Sequence, residues 1–182
     1  VACVGDSITS GTEYPSDLAM LLGPKYSVGN FGVPGTTASL DSGGTFTEQN
    51  ASQNALHFQP KIVIVMLGTN DANPIIYPNP NKTSFIEGYT QLVRKFQELS
   101  TKPKIYLVKP PPVFKGETGV DPQFFKETVL AGVEQVATQA NLPIIDVYSA
   151  LANHSDFFFD GVHPDSKGAK LIADVIYRAI IA

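Results

Sequence analysis

The 182 residues suffice for one domain with a substantial hydrophobic core and are too few for two comfortable ones, so a single domain over 1–182 is expected. A 43% hydrophobic, 16% charged composition is that of an ordinary globular protein, and a net charge of -4 argues against a nucleic-acid binder. No apolar run approaches the roughly 20 residues that span a bilayer, and a lone cysteine, Cys3, excludes an intrachain disulfide.

Taken in order, the chain alternates short apolar runs with helical patterns. Residues 1–4 read as a first strand, entered without an initiating Met, which suggests a signal peptide, a tag or another domain upstream. Apolar runs at 26–31 and 62–67 read as the second and third strands. The third, Ile-Val-Ile-Val-Met-Leu, has no polar alternation, as expected of a parallel strand covered on both faces. An irregular segment at 72–82 precedes a helix capped by Thr83 or Ser84, with Phe85, Tyr89, Leu92, Val93, Phe96 and Leu99 on one face. A fourth strand at 105–108 leads into a Pro- and Gly-rich segment at 110–120. Asp121-Pro122 then opens a helix whose apolar face runs through Phe125, Val129, Val133 and Val136. A fifth strand at 143–147 and a last helix from about Asp165, burying Leu171, Ile172, Val175, Ile176 and Ala179, complete the chain. Such alternation predicts a three-layer α/β sandwich with a mainly parallel sheet and right-handed crossovers. The missing Met and the sequons at Asn50, Asn81 and Asn153 lean towards a secreted or extracytoplasmic protein.

Four segments carry chemistry. Gly5-Asp6-Ser7-Ile8-Thr9 follows the first strand, Asn30 to Gly35 closes the second, Gly68-Thr69-Asn70-Asp71 closes the third, and Asp160-Gly161-Val162-His163-Pro164 precedes the last helix. The first three fall at the carboxyl ends of strands, where open α/β sheets gather their functional groups. A serine hydroxyl needs a base to accept its proton during attack, and a histidine suits that task. A carboxylate three residues before His163 can take the other imidazole N–H and fix the tautomer. The backbone N–H groups of Ser7 and Gly35 and the side-chain amide of Asn70 can donate to a tetrahedral oxyanion, with Gly32 as the other glycine in its segment.

In their order and spacing these segments resemble the four sequence blocks of the SGNH (GDSL-type) hydrolase superfamily, across residues 5–164. The resemblance implies a flavodoxin-like sheet of order 2-1-3-4-5 with no metal or organic cofactor. It further implies Ser7 as nucleophile, His163 as base, Asp160 as its partner, and Ser7, Gly35 and Asn70 as oxyanion donors. Gly35 is preferred over Gly32 because the family's donor glycine ends an Asn-x-x-x-x-Gly stretch. The long Asn/Pro segment after Asn70 and the prolines after the fourth strand look similar to the sialate/xylan O-acetylesterase-like branch.

Each residue also has a plainer reading. Ser7 alone could serve only as a helix cap, Asp6 and Asp71 as loop organisers, and His57 and His154 as surface or capping groups. Asp160 and His163 lack the further His, Cys or Glu that a metal site requires. Phe157, Phe158 and Phe159 are expected to pack the base-bearing loop onto the core, with a share of them at the acyl pocket. On the flanking segments, Tyr77 and Phe114 are the candidates to stack on a sugar ring. The combination therefore predicts a serine ester hydrolase acting on a small-molecule or glycan ester, with short acyl groups favoured. A lysophospholipase or acyl thioesterase is the runner-up, and a non-catalytic carbohydrate-binding module on the same fold is the reading from another class. A nucleotide or flavin protein lacks its Gly-rich spacing, and an α/β-hydrolase its Gly-x-Ser-x-Gly elbow.

Overall fold

A computed structural model describes residues 1–114, 116 and 118–182. Lys115 and Glu117, in the segment expected to be irregular at 110–120, lie outside the described residues. Five parallel strands, β1 (Ala2–Gly5), β2 (Gly29–Gly32), β3 (Ile62–Met66), β4 (Lys104–Lys109) and β5 (Ile144–Asp146), form one sheet of order β2-β1-β3-β4-β5. The α/β class and strand order are those expected.

Unbroken apolar runs in the sequence become two cores because successive side chains of a strand point to opposite faces. Ala2, Val4, Val63, Val65, Ile105 and Leu107 face one side, where helices α3 (Asn50–His57), α4 (Lys82–Gln97) and α6 (Ala131–Ala140) cover them. Cys3, Ile64, Met66, Tyr106 and Val108 face the other, under α2 (Tyr14–Leu22), α7 (Val147–Leu151) and α8 (Ser166–Ile181). Between β1 and β2 the chain first passes through a single short turn of helix, α1 (Ser7–Gly11).

Local structure departs from the sequence reading at three places. The second strand begins at Gly29 rather than Tyr26. The chain turns at Gly23, to whose carbonyl Tyr26 N–H donates a 3.1 Å bond, and joins the sheet only where Gly29 N–H meets Val1 O at 2.9 Å. Helix α4 is capped by Asn81, whose Oδ1 accepts from the N–H groups of Thr83 (2.9 Å) and Ser84 (3.4 Å), not by Thr83 or Ser84. Ser84 is freed for another task, described below. The helix opened by Asp121 starts as α5 (Pro122–Phe124) and passes through a π-helical stretch, Phe125–Leu130, before continuing as α6. Its cap is as expected, with Asp121 Oδ1 accepting from Gln123 (2.8 Å) and Phe124 (3.1 Å).

Sheet order matters for function. From β1 the chain moves outward to β2 and then returns to β3 on the opposite side, so the topological switch point lies between β1 and β3. Ser7 follows β1 and Asn70 follows β3, one on each side of that point.

Candidate active site

Ser7 is the first residue of α1. Asp6 caps that helix, its Oδ1 accepting the Ile8 N–H at 2.9 Å, while Ser10 N–H reaches Asp6 O at 3.0 Å. At the first helical position the Ser7 N–H has no intrahelical acceptor, so it is left to face whatever lies before the turn. Asp6 is 1% exposed, and its Oδ2 has no partner among the described residues. Burial pushes its carboxyl up to about 7, and nearby Asp71 adds to the rise; the Ile8 N–H and His163 act against it.

The candidate base, His163, comes from the loop before α8. Asp160 Oδ1 accepts the N–H groups of Val162 (2.9 Å) and His163 (2.7 Å), which winds the loop into a tight turn. Gly161 in that turn has φ +87°, and a Cβ there would meet Phe114 O at 2.8 Å, so a side chain is excluded on both counts. The same turn aims Asp160 Oδ2 at His163 Nδ1, 2.6 Å away, and His163 Nε2 lies 2.8 Å from Ser7 Oγ. An ionised carboxylate can only accept, so Nδ1 carries the proton and Nε2 is free to accept from the serine hydroxyl. Partial burial disfavours the charged Asp160, but the bonds from the His163 backbone, the His163 ring and Val162 outweigh it and hold the carboxyl below its ordinary range.

Across the cleft, Asn70 is 7% exposed and gives one amide hydrogen to Thr36 O at 2.9 Å, leaving the second unspent. That bond ties Asn70 to the segment holding Gly35, which adopts φ +76° and whose N–H has no acceptor among the described residues. Gly32, by contrast, already donates its N–H to Asn30 Oδ1 at 3.0 Å, and Asn30 itself bonds Thr9 O at 2.9 Å. The Gly35 segment is pinned from below by Asp71, a carboxylate 1% exposed that accepts from the N–H groups of Ala38 and Ser39 at 2.9 Å each and from the Ser39 hydroxyl at 2.5 Å. Burial pushes the Asp71 carboxyl up as well. Ser84 adds a second anchor, its hydroxyl accepting from Leu40 N–H at 3.0 Å and donating to Asp41 at 2.5 Å.

Ser7, Pro34, His163 and Pro164 line an open cleft of about 400 Å³, shared with Thr12 and Phe159. A cavity of similar volume, about 390 Å³, at the amino ends of the strands is lined by Val1, Lys25, Tyr26 and Phe58 among others, and contains no nucleophile–base pair. The two expected sugar-stacking residues are not on the cleft. Tyr77 is 3% exposed with its hydroxyl bonded to Asp41, so its ring is core rather than platform. Phe114 packs edge-on against Phe158, with centroids 5.0 Å apart, and donates its N–H to Gly161 O at 2.7 Å, which makes it a prop for the base loop. The sequence reading gave too little weight to Phe159, which lies one residue before Asp160 and is exposed beside His163. Its place in a Phe-Phe-Phe run, where only one ring can turn outward if its neighbours turn in, was the available signal. His57 ends α3, and His154 stacks on Phe157.

A parallel α/β sheet that holds a serine hydroxyl, an imidazole and a carboxylate in one hydrogen-bonded line at its carboxyl edge has the framework of the α/β hydrolytic enzymes. The chain belongs to the GDSL-like Lipase/Acylhydrolase family, whose model matches residues 3–171. It is 31% identical to an acetylxylan esterase of Xylanibacter ruminicola over 99% of this chain and 42% of that protein. Among solved structures it resembles Est24, a carbohydrate acetylesterase from Sinorhizobium meliloti (TM-score 0.80, 20% identity, 99% of this chain and 97% of that one). It also resembles an aryl esterase of M. smegmatis (TM-score 0.77, 20% identity, 99% and 97%). These structural likenesses bear on the fold. The chain spans about half the length of the curated relatives it matches.

Proposed function

We propose that this chain hydrolyses carboxylic esters through Ser7, and that its preferred substrates are short acyl, chiefly acetyl, esters of carbohydrates. The observation that carries the hydrolytic reading is the unbroken line Ser7 Oγ–His163–Asp160 at 2.8 and 2.6 Å, built from residues 156 and 3 positions apart. In this mechanism Ser7 Oγ attacks the ester carbonyl carbon as its proton passes to His163 Nε2. The carbonyl oxygen becomes an oxyanion held by the N–H groups of Ser7 and Gly35 and the spare amide hydrogen of Asn70. Asp160 stabilises the imidazolium, which then returns the proton to the departing alcohol oxygen and leaves an acyl-Ser7. A water molecule, deprotonated by His163, attacks that acyl group; the carboxylic acid leaves and Ser7 regains its proton.

The short-acyl carbohydrate reading is supported by the full-chain likeness to the Xylanibacter acetylxylan esterase. It is also supported by the openness of the cleft and by the hydroxyl residues Ser10 and Thr12 on its lining. Hydrolysis of p-nitrophenyl acetate, butyrate and octanoate, beside acetate release from acetylated xylan, tests it. The expected profile falls from acetate to octanoate, with acetate freed from the xylan. Each methylene buried in an apolar groove would contribute about 0.8 kcal/mol. A kcat/KM that climbs with chain length, with no acetate from the glycan, would therefore favour a lysophospholipase or thioesterase and leave the catalytic residues as assigned.

A further inference from the structure

The run Phe157, Phe158, Phe159 divides in two. Phe158 is 8% exposed and meets Phe114 edge-on, and Phe157 stacks on His154, but Phe159 is 77% exposed. Apolar surface left in water on that scale is unfavourable. The fold does not require it, because Phe159 packs against no core cluster. What Phe159 does touch is the base: its ring lies nearly parallel to the His163 imidazole, with centroids 5.9 Å apart and planes 17° from each other.

Reaction geometry gives this placement a direction. The acyl carbonyl must face the oxyanion donors on the Gly35 and Asn70 side. The alcohol oxygen must lie against His163, which hands it the proton on departure. An alcohol leaving past His163 therefore passes along the wall that continues the imidazole, and that wall is Phe159. Ser10 and Thr12 line the same cleft. Thr12 gives its proton to Ile8 O at 2.8 Å and accepts the Tyr14 N–H at 3.5 Å, which leaves one lone pair for a ligand. A flat aromatic face that shares a cleft with hydroxyls suits a ring with an apolar C–H face and a polar rim.

We propose that Phe159 is the platform for the sugar ring of the departing alcohol, and so a specificity-determining residue of this site. The proposal rests on the carbohydrate-ester reading above. It assigns the alcohol side of the substrate to the Phe159 wall and the acyl side to the Gly35 and Asn70 side.

The test compares wild type, Phe159→Ala and Phe159→Tyr on acetylated xylo-oligosaccharides and on ethyl acetate, whose alcohol is too small to cover a ring. Phe159→Ala is expected to lower the ratio of the two kcat/KM values (oligosaccharide over ethyl acetate) about tenfold, chiefly through KM, which is the scale of one aromatic stacking contact. Phe159→Tyr keeps the face and is expected to hold the ratio within about twofold. An unchanged ratio in Phe159→Ala overturns the proposal. So does an equal fall on both substrates, which would make the ring a support for His163. A wild-type chain that cleaves ethyl acetate but frees no acetate from the oligosaccharide overturns the carbohydrate reading along with this proposal, and spares ester hydrolysis. Inactivity on both esters overturns the hydrolytic reading itself.

Discussion

The loop that carries His163, the proposed base, and the loop that carries Gly35, a proposed oxyanion donor, differ in how they are held. Residues 160–163 are shaped mainly from within: three bonds to Asp160, none reaching more than three residues, set the turn and aim the imidazole, and Phe114 N–H to Gly161 O at 2.7 Å is the long-range prop. The segment from Gly35 to Asp41 also has local bonds, such as Thr36 Oγ1 to Val33 O at 2.8 Å and Thr45 Oγ1 to Ser39 O at 2.6 Å. It is tied to the rest of the fold, however, by Asn70, Asp71 and Ser84, from 32 to 44 residues away. One half of the site is therefore held mainly by a short peptide, and the other depends more on the folded sheet. Damage to the first should appear as lost chemistry in an intact fold, and damage to the second as lost chemistry and lost stability together.

The sharpest blow to the local half is Asp160→Asn. An amide there can hold the imidazole in the wrong tautomer, so kcat is expected to fall about 10⁴-fold while thermal unfolding shifts little. A Tm that collapses along with activity would show the base loop to be less self-contained than its bonds indicate.

The nucleophile's own turn is local too, yet buried, and Asp6→Asn exposes the difference. Asparagine caps a helix as well as aspartate, so the Ile8 bond can survive. In the wild type, burial raises the Asp6 carboxyl from 3.8 to about 7. Between those values the folded chain binds more protons than the unfolded one, so its stability is full below about pH 4 and declines as pH rises to 7. Asp6→Asn removes this slope. Relative to wild type the variant should gain stability across that window, on the order of 4 kcal/mol by pH 8. Parallel pH–stability curves, measured by urea unfolding, would contradict this.

On the long-range side, Asn70→Ala removes one proposed oxyanion donor and should cost roughly 10²–10³-fold in kcat. It also severs the Thr36 bond, so unlike Asp160→Asn it should lower Tm. Asp71→Asn is the mildest change. It leaves one of the donors from Ala38 and Ser39 without an acceptor, at about 1–3 kcal/mol of stability, and loosens the Gly35 segment without touching substrate. Activity and stability read on the same samples separate these cases.

The same contrast explains what could be read from the chain. Parallel strands covered on both faces appear as bare apolar runs, so β1, β3 and β4 were visible, and with the four-block resemblance came the sheet order. Asp160 and His163 were legible because their geometry is three residues long. Helix α2 was not, since Met20 and Leu21 of its apolar residues are exposed and only Tyr14, Pro15 and Leu18 are buried, which blurs the periodicity. The Asn81 cap was hidden by two equally suitable residues just after it. Tyr77 reads as a loop aromatic in the sequence; the fold buries its ring and gives its hydroxyl a partner in Asp41, 36 residues earlier. The Phe-Phe-Phe run signals that one ring can turn outward but not which; in the fold Phe158 pairs with Pro164 and is buried, and Phe159 is the exposed one.

The central claim is that Ser7 forms the acyl-enzyme. Its most direct test is to treat the chain with a fluorophosphonate, which phosphonylates an activated serine, and to map the adduct by peptide mass spectrometry alongside the loss of esterase activity. The account predicts one adduct per chain, on Ser7, formed in step with inactivation, and none on Ser7 when His163 is replaced by alanine. Full inactivation with Ser7 unmodified, or equal labelling of Ser7 without His163, would contradict it.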